Sequence, residues 1–129
     1  MTADVAPMPV RLTAEELRAA RAAALKTYVS PALKDFLVRL VAATRGGPAA
    51  PDLRGAIEHP VSPRGTLALM LAGKARAYLH GRDHVVPEDV LSLAADALAH
   101  RLALTWRAAA EGQTARALVA GLLDRVHPL

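Results

Sequence analysis

Three consecutive residues at the start of an apolar, helix-periodic segment could bind an anion. Ser62 and Pro63 are typical of the N-cap and first position of an α-helix, and Arg64 follows in the first turn. A cation there costs roughly 0.3–1 kcal/mol, because the helix start carries unpaired N–H groups and the positive end of the macrodipole. The pattern indicates that Arg64 meets negative charge from elsewhere. A local carboxylate, such as that of Glu58 or Asp52, is one candidate source.

Motifs of a self-contained catalyst are absent from the sequence. It has no G-x-x-x-x-G-K-[ST] phosphate loop, no G-x-S-x-G nucleophile elbow and no G-x-G-x-x-G fingerprint. His80 and His84 lie four residues apart, but Gly81 interrupts the helix that would align them, so we expect no metal site. Cysteine is absent, which excludes disulfides and thiolate ligands. We therefore expect that this chain alone is not an enzyme.

The composition limits the number of domains, the residue types in the core and the classes of partner. The 129 residues suffice for one domain, and with 53% hydrophobic but only 3% aromatic residues the core must consist of Leu, Val and Ala. The formal charge of +4 comes from basic residues that are spread along the chain, which is typical of a solvated surface and not of a specific nucleic-acid partner. We see neither a secretory signal nor a membrane-spanning segment, and we expect a cytoplasmic protein.

Capping residues predict an all-α fold, a compact helical bundle of about five helices without strands. The first helix begins at Thr13 in a capping box with Glu16, with Leu12 stapled onto Leu17. The second runs from Ser30 to Gly46. The expected inner faces are Leu17, Ala20 and Ala24 in the first helix, and Leu33, Leu37, Leu40 and Thr44 in the second.

Three further helices are predicted after a long loop at residues 46–61. The third extends from Ser62 to His80, with Gly81 as a left-handed cap and with Leu67, Leu71 and Tyr78 facing the core. The fourth extends from Pro87 to about Arg101 and would bury Val90, Ala94, Ala97 and Leu98. We expect an irregular passage through Trp106, with helix at Ala108 to Ala110 as the alternative, a break at Gly112 and a last helix from Thr114.

An ordered set of motifs points to a known family. "YVSPAL" and "LVAATR" are followed by "SPR", by "GRDHVVPEDV" and by "HR". In this order the motifs resemble the C-terminal helical lid of MoxR-type AAA+ ATPases, in the helix-2-insert clade that also holds magnesium-chelatase subunits. The resemblance is close over residues 28–102 and looser over residues 12–128. It implies a lid domain at residues 12–128, preceded by a linker at residues 1–11.

The resemblance also implies roles for individual residues. Arg64 falls at the sensor-2 arginine, which would face the γ-phosphate of ATP from a helix that Ser62 and Pro63 begin. ATP would be bound mainly by a core that is missing from this sequence, and Mg²⁺ would enter only through the parent ATPase. Arg82, Asp83 and Arg101 are candidates for seating the lid. A locally bonded turn at Asp83 and carbonyl capping by Arg101 are the simpler alternatives.

The implied partners are the AAA+ core, neighbouring protomers of a hexameric ring and von Willebrand factor A domain proteins. The implied activity is chaperone-like remodelling or metalloenzyme maturation. One departure is that Pro60 and Val61 replace the small Gly-Ala pair that usually precedes the family's SPR helix. The alternatives are a magnesium-chelatase lid and a stand-alone interaction or DNA-binding bundle, for which the third helix offers only Lys74 and Arg76 beyond its first turn.

Overall fold

The computed structural model describes residues 11–128, so nearly all of the predicted linker at residues 1–11 lies outside the described residues. Within them the class is all-α, as predicted, but the helices number seven and not five. The elements are α1 (Ala14–Leu25), α2 (Pro31–Ala43), β1 (Ile57–His59), α3 (Pro63–Leu79), α4 (Pro87–Leu91), α5 (Ala94–Leu98), β2 (Ala103–Leu104), α6 (Trp106–Ala110) and α7 (Ala115–Arg125). Pro51–Gly55 and Ala99–Arg101 form 3₁₀ turns.

Helix α2 supplies the largest share of the core. The hydroxyl of Ser30 accepts the N–H of Leu33 at 3.2 Å, so the predicted cap is confirmed. The left-handed Gly46 ends the segment at φ 68°. The predicted inner face is buried throughout, and Phe36 and Val41 join it. An α-helix with apolar residues on this stripe is stable only against partners, which here are α3 and α7.

Helix α1 begins as predicted but packs differently. The Thr13 hydroxyl accepts the N–H of Glu16 at 3.1 Å, and the Glu16 carboxylate accepts that of Thr13 at 2.7 Å. The predicted buried stripe is wrong, because Leu17 is half exposed and Ala20 and Ala24 are only partly covered. Helix α1 packs mainly against α3, and one main neighbour does not cover a whole apolar face.

Helix α3 buries a face other than the predicted one. The buried residues are Gly65, Leu69, Gly73 and Ala77, at four-residue spacing. Small residues let neighbours approach, and a β-carbon on Gly73 would lie 3.2 Å from Val90 and 3.3 Å from Val85. The predicted core residues are instead exposed, by 56% at Leu67, 46% at Leu71 and 38% at Tyr78. The glycine face is inside because close helix packing needs it there.

The predicted fourth helix is broken into α4, α5 and a 3₁₀ turn. The Ser92 hydroxyl donates to the carbonyl of Asp89 at 3.3 Å, and the N–H of Leu93 bonds the carbonyl of Val90, one residue short of the α-helical partner. Such side-chain competition for carbonyls bends and interrupts helices. Of the predicted inner residues, Val90, Ala94 and Leu98 are nevertheless buried, whereas Ala97 is only partly buried.

Two short strands, which the sequence did not predict, join distant parts of the chain. Strand β1 pairs antiparallel with β2, with Ile57 opposite Leu104 and His59 opposite Ala103. Strands of two or three residues are too short to show an alternating pattern. The pairing fixes the segment that leads into α3.

The C-terminal part follows the helical alternative. Thr105 caps α6 through the N–H of Ala108 at 3.3 Å, so the predicted irregular passage is wrong from Trp106 onward. Gly112, with a left-handed φ of 81°, separates α6 from α7, and Thr114 caps α7, both as predicted. No helix among the described residues is both long and apolar enough to cross a membrane.

Candidate functional site at the start of helix α3

The N-terminus of α3 has no side-chain cap. Ser62 occupies the N-cap with φ −72° and ψ 163°, but its side chain makes no capping hydrogen bond. The hydroxyls of Thr13, Ser30, Thr105 and Thr114 each accept an N–H group at the start of their own helices. In α3 the N–H of Gly65 instead bonds the Ser62 carbonyl at 2.8 Å, and Pro63 has no N–H. Among the described residues the N–H of Arg64 is therefore the first-turn donor left for another acceptor.

Arg64 is exposed in this first turn. Among residues 11–128 no carboxylate oxygen lies within 4.0 Å of its guanidinium. Asp52 pairs instead with Arg125 on α7 at 2.5 Å, and this hydrogen bond lowers the pKa of Asp52. Glu58 forms no ion pair within the same part of the chain. Neither local acid that could have accounted for Arg64 contacts it.

Gly65 and Val61 lock the backbone on either side of Arg64. Val61 is fully buried, and a β-carbon on Gly65 would lie only 2.2 Å from its Cγ1 atom. Leu98 on α5 lies 3.3 Å from the same point. Only glycine fits beneath Val61, so the larger residue at position 61 is matched by the absence of a side chain at position 65.

Arg101 lies beside the same helix start. Its Nε donates to the carbonyl of Ala97 at 2.9 Å, which is the C-terminal capping role considered above. Its Cδ atom would lie 3.8 Å from a β-carbon on Gly65. The structure therefore places Arg101 beside Gly65, the residue after Arg64, whereas it places Arg82 and Asp83 at the opposite end of α3.

Arg82 is bound inside the domain. Its guanidinium donates two hydrogen bonds, of 2.5 and 2.7 Å, to the carboxylate of Asp89, and Asp89 is 1% exposed. These bonds lower the pKa of Asp89, and the N–H of Val86 adds a third at 3.0 Å. Arg76 approaches Asp89 at 3.5 Å. The sequence pattern did not predict this cluster. One signal for it was present: Val86 at the N-cap cannot cap α4, so an acid three residues later, Asp89, is placed to accept its N–H.

Asp83 faces solvent next to this cluster. Its side chain is 98% exposed and lies 2.8 Å from Nδ1 of His84, and its pKa is lowered by that contact. Its carbonyl accepts the N–H of Tyr28 at 2.8 Å. Contact between this turn and a second domain stays a prediction.

The histidines that the sequence analysis considered as ligands make local contacts. Nδ1 of His80 lies 2.8 Å from the carbonyl of Arg76. Within residues 11–128 no three His, Asp or Glu side chains cluster as metal ligands do.

Comparison with known proteins gives the geometry a context. Residues 49–122 match the family described as AAA lid domain. The chain is 38% identical over 90 residues to Chaperone MoxR1 of Mycobacterium tuberculosis, covering 68% of this chain and 24% of the relative. It is 36% identical over 104 residues to Protein MoxR of Paracoccus denitrificans, covering 76% and 30%. An uncharacterised Bacillus subtilis protein, YeaC, is 39% identical over 94 residues, covering 73% and 27%.

A solved structure has the same fold. A crystal structure of a candidate ATPase from Cytophaga hutchinsonii superposes with a TM-score of 0.81 at 33% identity, covering 88% of this chain and 35% of that one. The chain spans roughly a quarter to a third of the length of these relatives.

Proposed function

The chain belongs to the AAA lid domain family, as a lid of the MoxR type, and we propose that it closes over ATP held by a separate core domain. In this proposal Arg64 is the sensor-2 residue that contacts the terminal phosphate, and Ser62 and Pro63 begin the helix that presents it. Closing over the nucleotide couples its state to movement of the subunit.

The observation that carries the proposal is an exposed arginine in the first turn of a helix that has no side-chain cap, with the Arg64 N–H unpaired among the described residues. The backbone N–H of Arg64 and the macrodipole attract a phosphate, and the guanidinium adds a planar pair of donors. During phosphoryl transfer such a group offsets the charge that develops on the transferred oxygens. A phosphate at this point also removes the electrostatic cost of placing Arg64 in the first turn.

The parent protein is proposed to be an ATPase whose remaining length binds the nucleotide and Mg²⁺. The curated relatives extend well beyond the region matched by this chain, which covers 24% to 30% of their lengths. Two of them carry the name MoxR, and one of these is described as a chaperone. We extend to the parent a chaperone-like role in remodelling or metalloenzyme maturation in the cytoplasm.

The proposed partners are the core of the parent, neighbouring protomers in a hexameric ring and von Willebrand factor A domain proteins. An exposed apolar face on α3, formed by Leu67 and Leu71, supports the first of these. A lid needs such a surface where the core packs against it, and large exposed apolar residues in one row are typical of contact surfaces. We propose no specific nucleic-acid partner.

The experiment is steady-state ATP hydrolysis by the full-length parent. Arg64→Ala should lower kcat by an order of magnitude or more, because a donor aimed at developing charge is removed. Arg64→Lys should recover little of the loss, since a point charge cannot replace the planar fork. Arg18→Ala on α1 is the matched control, an exposed arginine away from the helix start, and should keep wild-type kcat. Wild-type turnover by Arg64→Ala in a normally assembled parent contradicts the proposal.

A further inference from the structure

Thr44, at the end of α2, holds the backbone that precedes Arg64. Its side chain is 1% exposed, and its hydroxyl donates to the carbonyl of Val41 at 2.7 Å. The same oxygen accepts the N–H of Val61 at 3.2 Å. One buried hydroxyl therefore links the last turn of α2 to the segment three residues before Arg64.

Val61 is fixed from two directions. Its N–H is held by Thr44, and its side chain fills the space above Gly65. Arg64 lies between these two fixed points, so the direction in which its side chain leaves the helix depends on both. The exposed side chain of Arg64 can adopt many rotamers. The position of its Cα atom, however, is set by the buried residues on either side of it.

Resting on the proposed role of Arg64, we infer that Thr44 is a positioning residue for that arginine. The hydroxyl sets the height and rotation of the first turn of α3 relative to α2, and through them the distance of the guanidinium from the phosphate. Displacement by about 1 Å can reduce a rate by about 100-fold. One hydroxyl supplies both the donor to Val41 and the acceptor for Val61, and only threonine or serine can place a hydroxyl there.

The test compares Thr44→Val with Thr44→Ser in the full-length parent. Valine keeps the shape but leaves the Val61 N–H without its acceptor, whereas serine keeps the hydroxyl. We expect kcat for ATP hydrolysis to fall by about tenfold in Thr44→Val and by less than about twofold in Thr44→Ser, with ADP affinity in both within about twofold of wild type. Thr27→Val, at the other buried threonine of the described chain, controls for the change in side chain.

A double variant separates positioning from a general structural role. On the Arg64→Ala background, Thr44→Val should reduce kcat by no more than about twofold further, because the residue being positioned is gone. A full additional tenfold loss, or a wild-type kcat for Thr44→Val alone, overturns the inference. If Arg64→Ala itself has wild-type kcat, the proposed function fails and not merely the role of Thr44.

Hydrogen exchange gives a readout without any variant, should Thr44→Val fail to fold. The Val61 amide should exchange as slowly as amides inside α2, because it donates to a buried hydroxyl. The Arg64 amide, in the first turn of its helix, gives a fast-exchanging reference. Exchange of Val61 at the rate of Arg64 overturns the inference.

Discussion

Gly65 is the residue with the least freedom to change in the candidate site. Every side chain begins with a β-carbon, and here that atom would lie 2.2 Å from Val61, well inside van der Waals contact. Valine has few alternative rotamers, so the strain must move the backbone at the start of α3. Glycine at position 65 is therefore needed to keep the backbone of Arg64 in its observed position.

Gly65→Ala should destabilise the domain by about 1–3 kcal/mol, the range for overpacking a dense core. The cost should be clearly smaller in a Val61→Ala background, because the clashing methyl group is then removed. Chemical denaturation of the four proteins of this cycle measures both values. Gly121→Ala on α7, where a new β-carbon meets nothing within 4 Å, should be neutral or stabilising. Equal costs of Gly65→Ala in the two backgrounds would count against the packing described.

Asp89 gives the stability of the domain a pH dependence. Its hydrogen bonds with Arg82 lower its pKa in the folded state, so the unfolded chain takes up this proton first as the pH falls. The stabilisation is therefore complete above pH ~4 and is lost as the pH falls through the lower, folded-state pKa. Asp89→Asn should cost about 3 kcal/mol at pH 7, because a buried charge pair loses one member.

Unfolding free energies of wild type and Asp89→Asn, measured at pH 7 and in the acid range, test this pH dependence. The difference between wild type and Asp89→Asn should shrink as the pH falls. Asp83→Asn, at a carboxylate that is 98% exposed, should change little at either pH. A difference that stays constant with pH would show that the carboxylate charge is not what stabilises the cluster.

At the scale of elements, α3 shows how an apolar pattern can indicate the wrong face. Leucines at positions 67 and 71 predict a buried stripe, but the helix turns its glycines and Leu69 inward. Close approach of α4 and of the segment before it fills the space above Gly73, and this contact outweighs the burial of two leucines. The two leucines stay exposed on the surface of the domain.

Alanine substitution distinguishes the two faces. Leu69→Ala should cost about 2–5 kcal/mol, as expected for truncation of a fully buried leucine. Leu67→Ala, the same change two residues away, should stay within about 0.5 kcal/mol of wild type in the isolated domain. Thermal or denaturant unfolding measures both. A larger loss for Leu67→Ala than for Leu69→Ala would restore the face that the sequence predicted.

Local chemistry made some elements predictable and left others hidden. Helix α2 and the capping box of α1 follow from residues within one turn of each other, such as Ser30 and Leu33. The break at Ser92 depends on a single hydrogen bond, from its hydroxyl to the carbonyl of Asp89. The β1–β2 pair joins segments about 45 residues apart, so no local pattern predicts it. Arg64 was noticeable because it contradicts the helix dipole, whereas Arg82 and Asp89 became a pair only through the turn between them.

For the whole molecule, the lid is a folded unit with its own core and an incomplete site. Helices α2, α3, α5 and α7 surround the buried cluster, and the candidate phosphate contact lies on the outside. This arrangement suits a domain that supplies one group to a site built elsewhere. The proposed activity therefore depends on how Arg64 contacts a nucleotide on another domain.

The most direct measurement is the structure of the full-length parent with a non-hydrolysable ATP analogue. We expect a guanidinium nitrogen of Arg64 about 2.7–2.9 Å from an oxygen of the γ-phosphate, the range of charge-assisted hydrogen bonds. Its Cα atom should stay where the isolated domain has it, between Val61 and Gly65. An Arg64 side chain paired with a carboxylate, or beyond hydrogen-bonding distance of every phosphate oxygen while the lid is closed, would contradict the account.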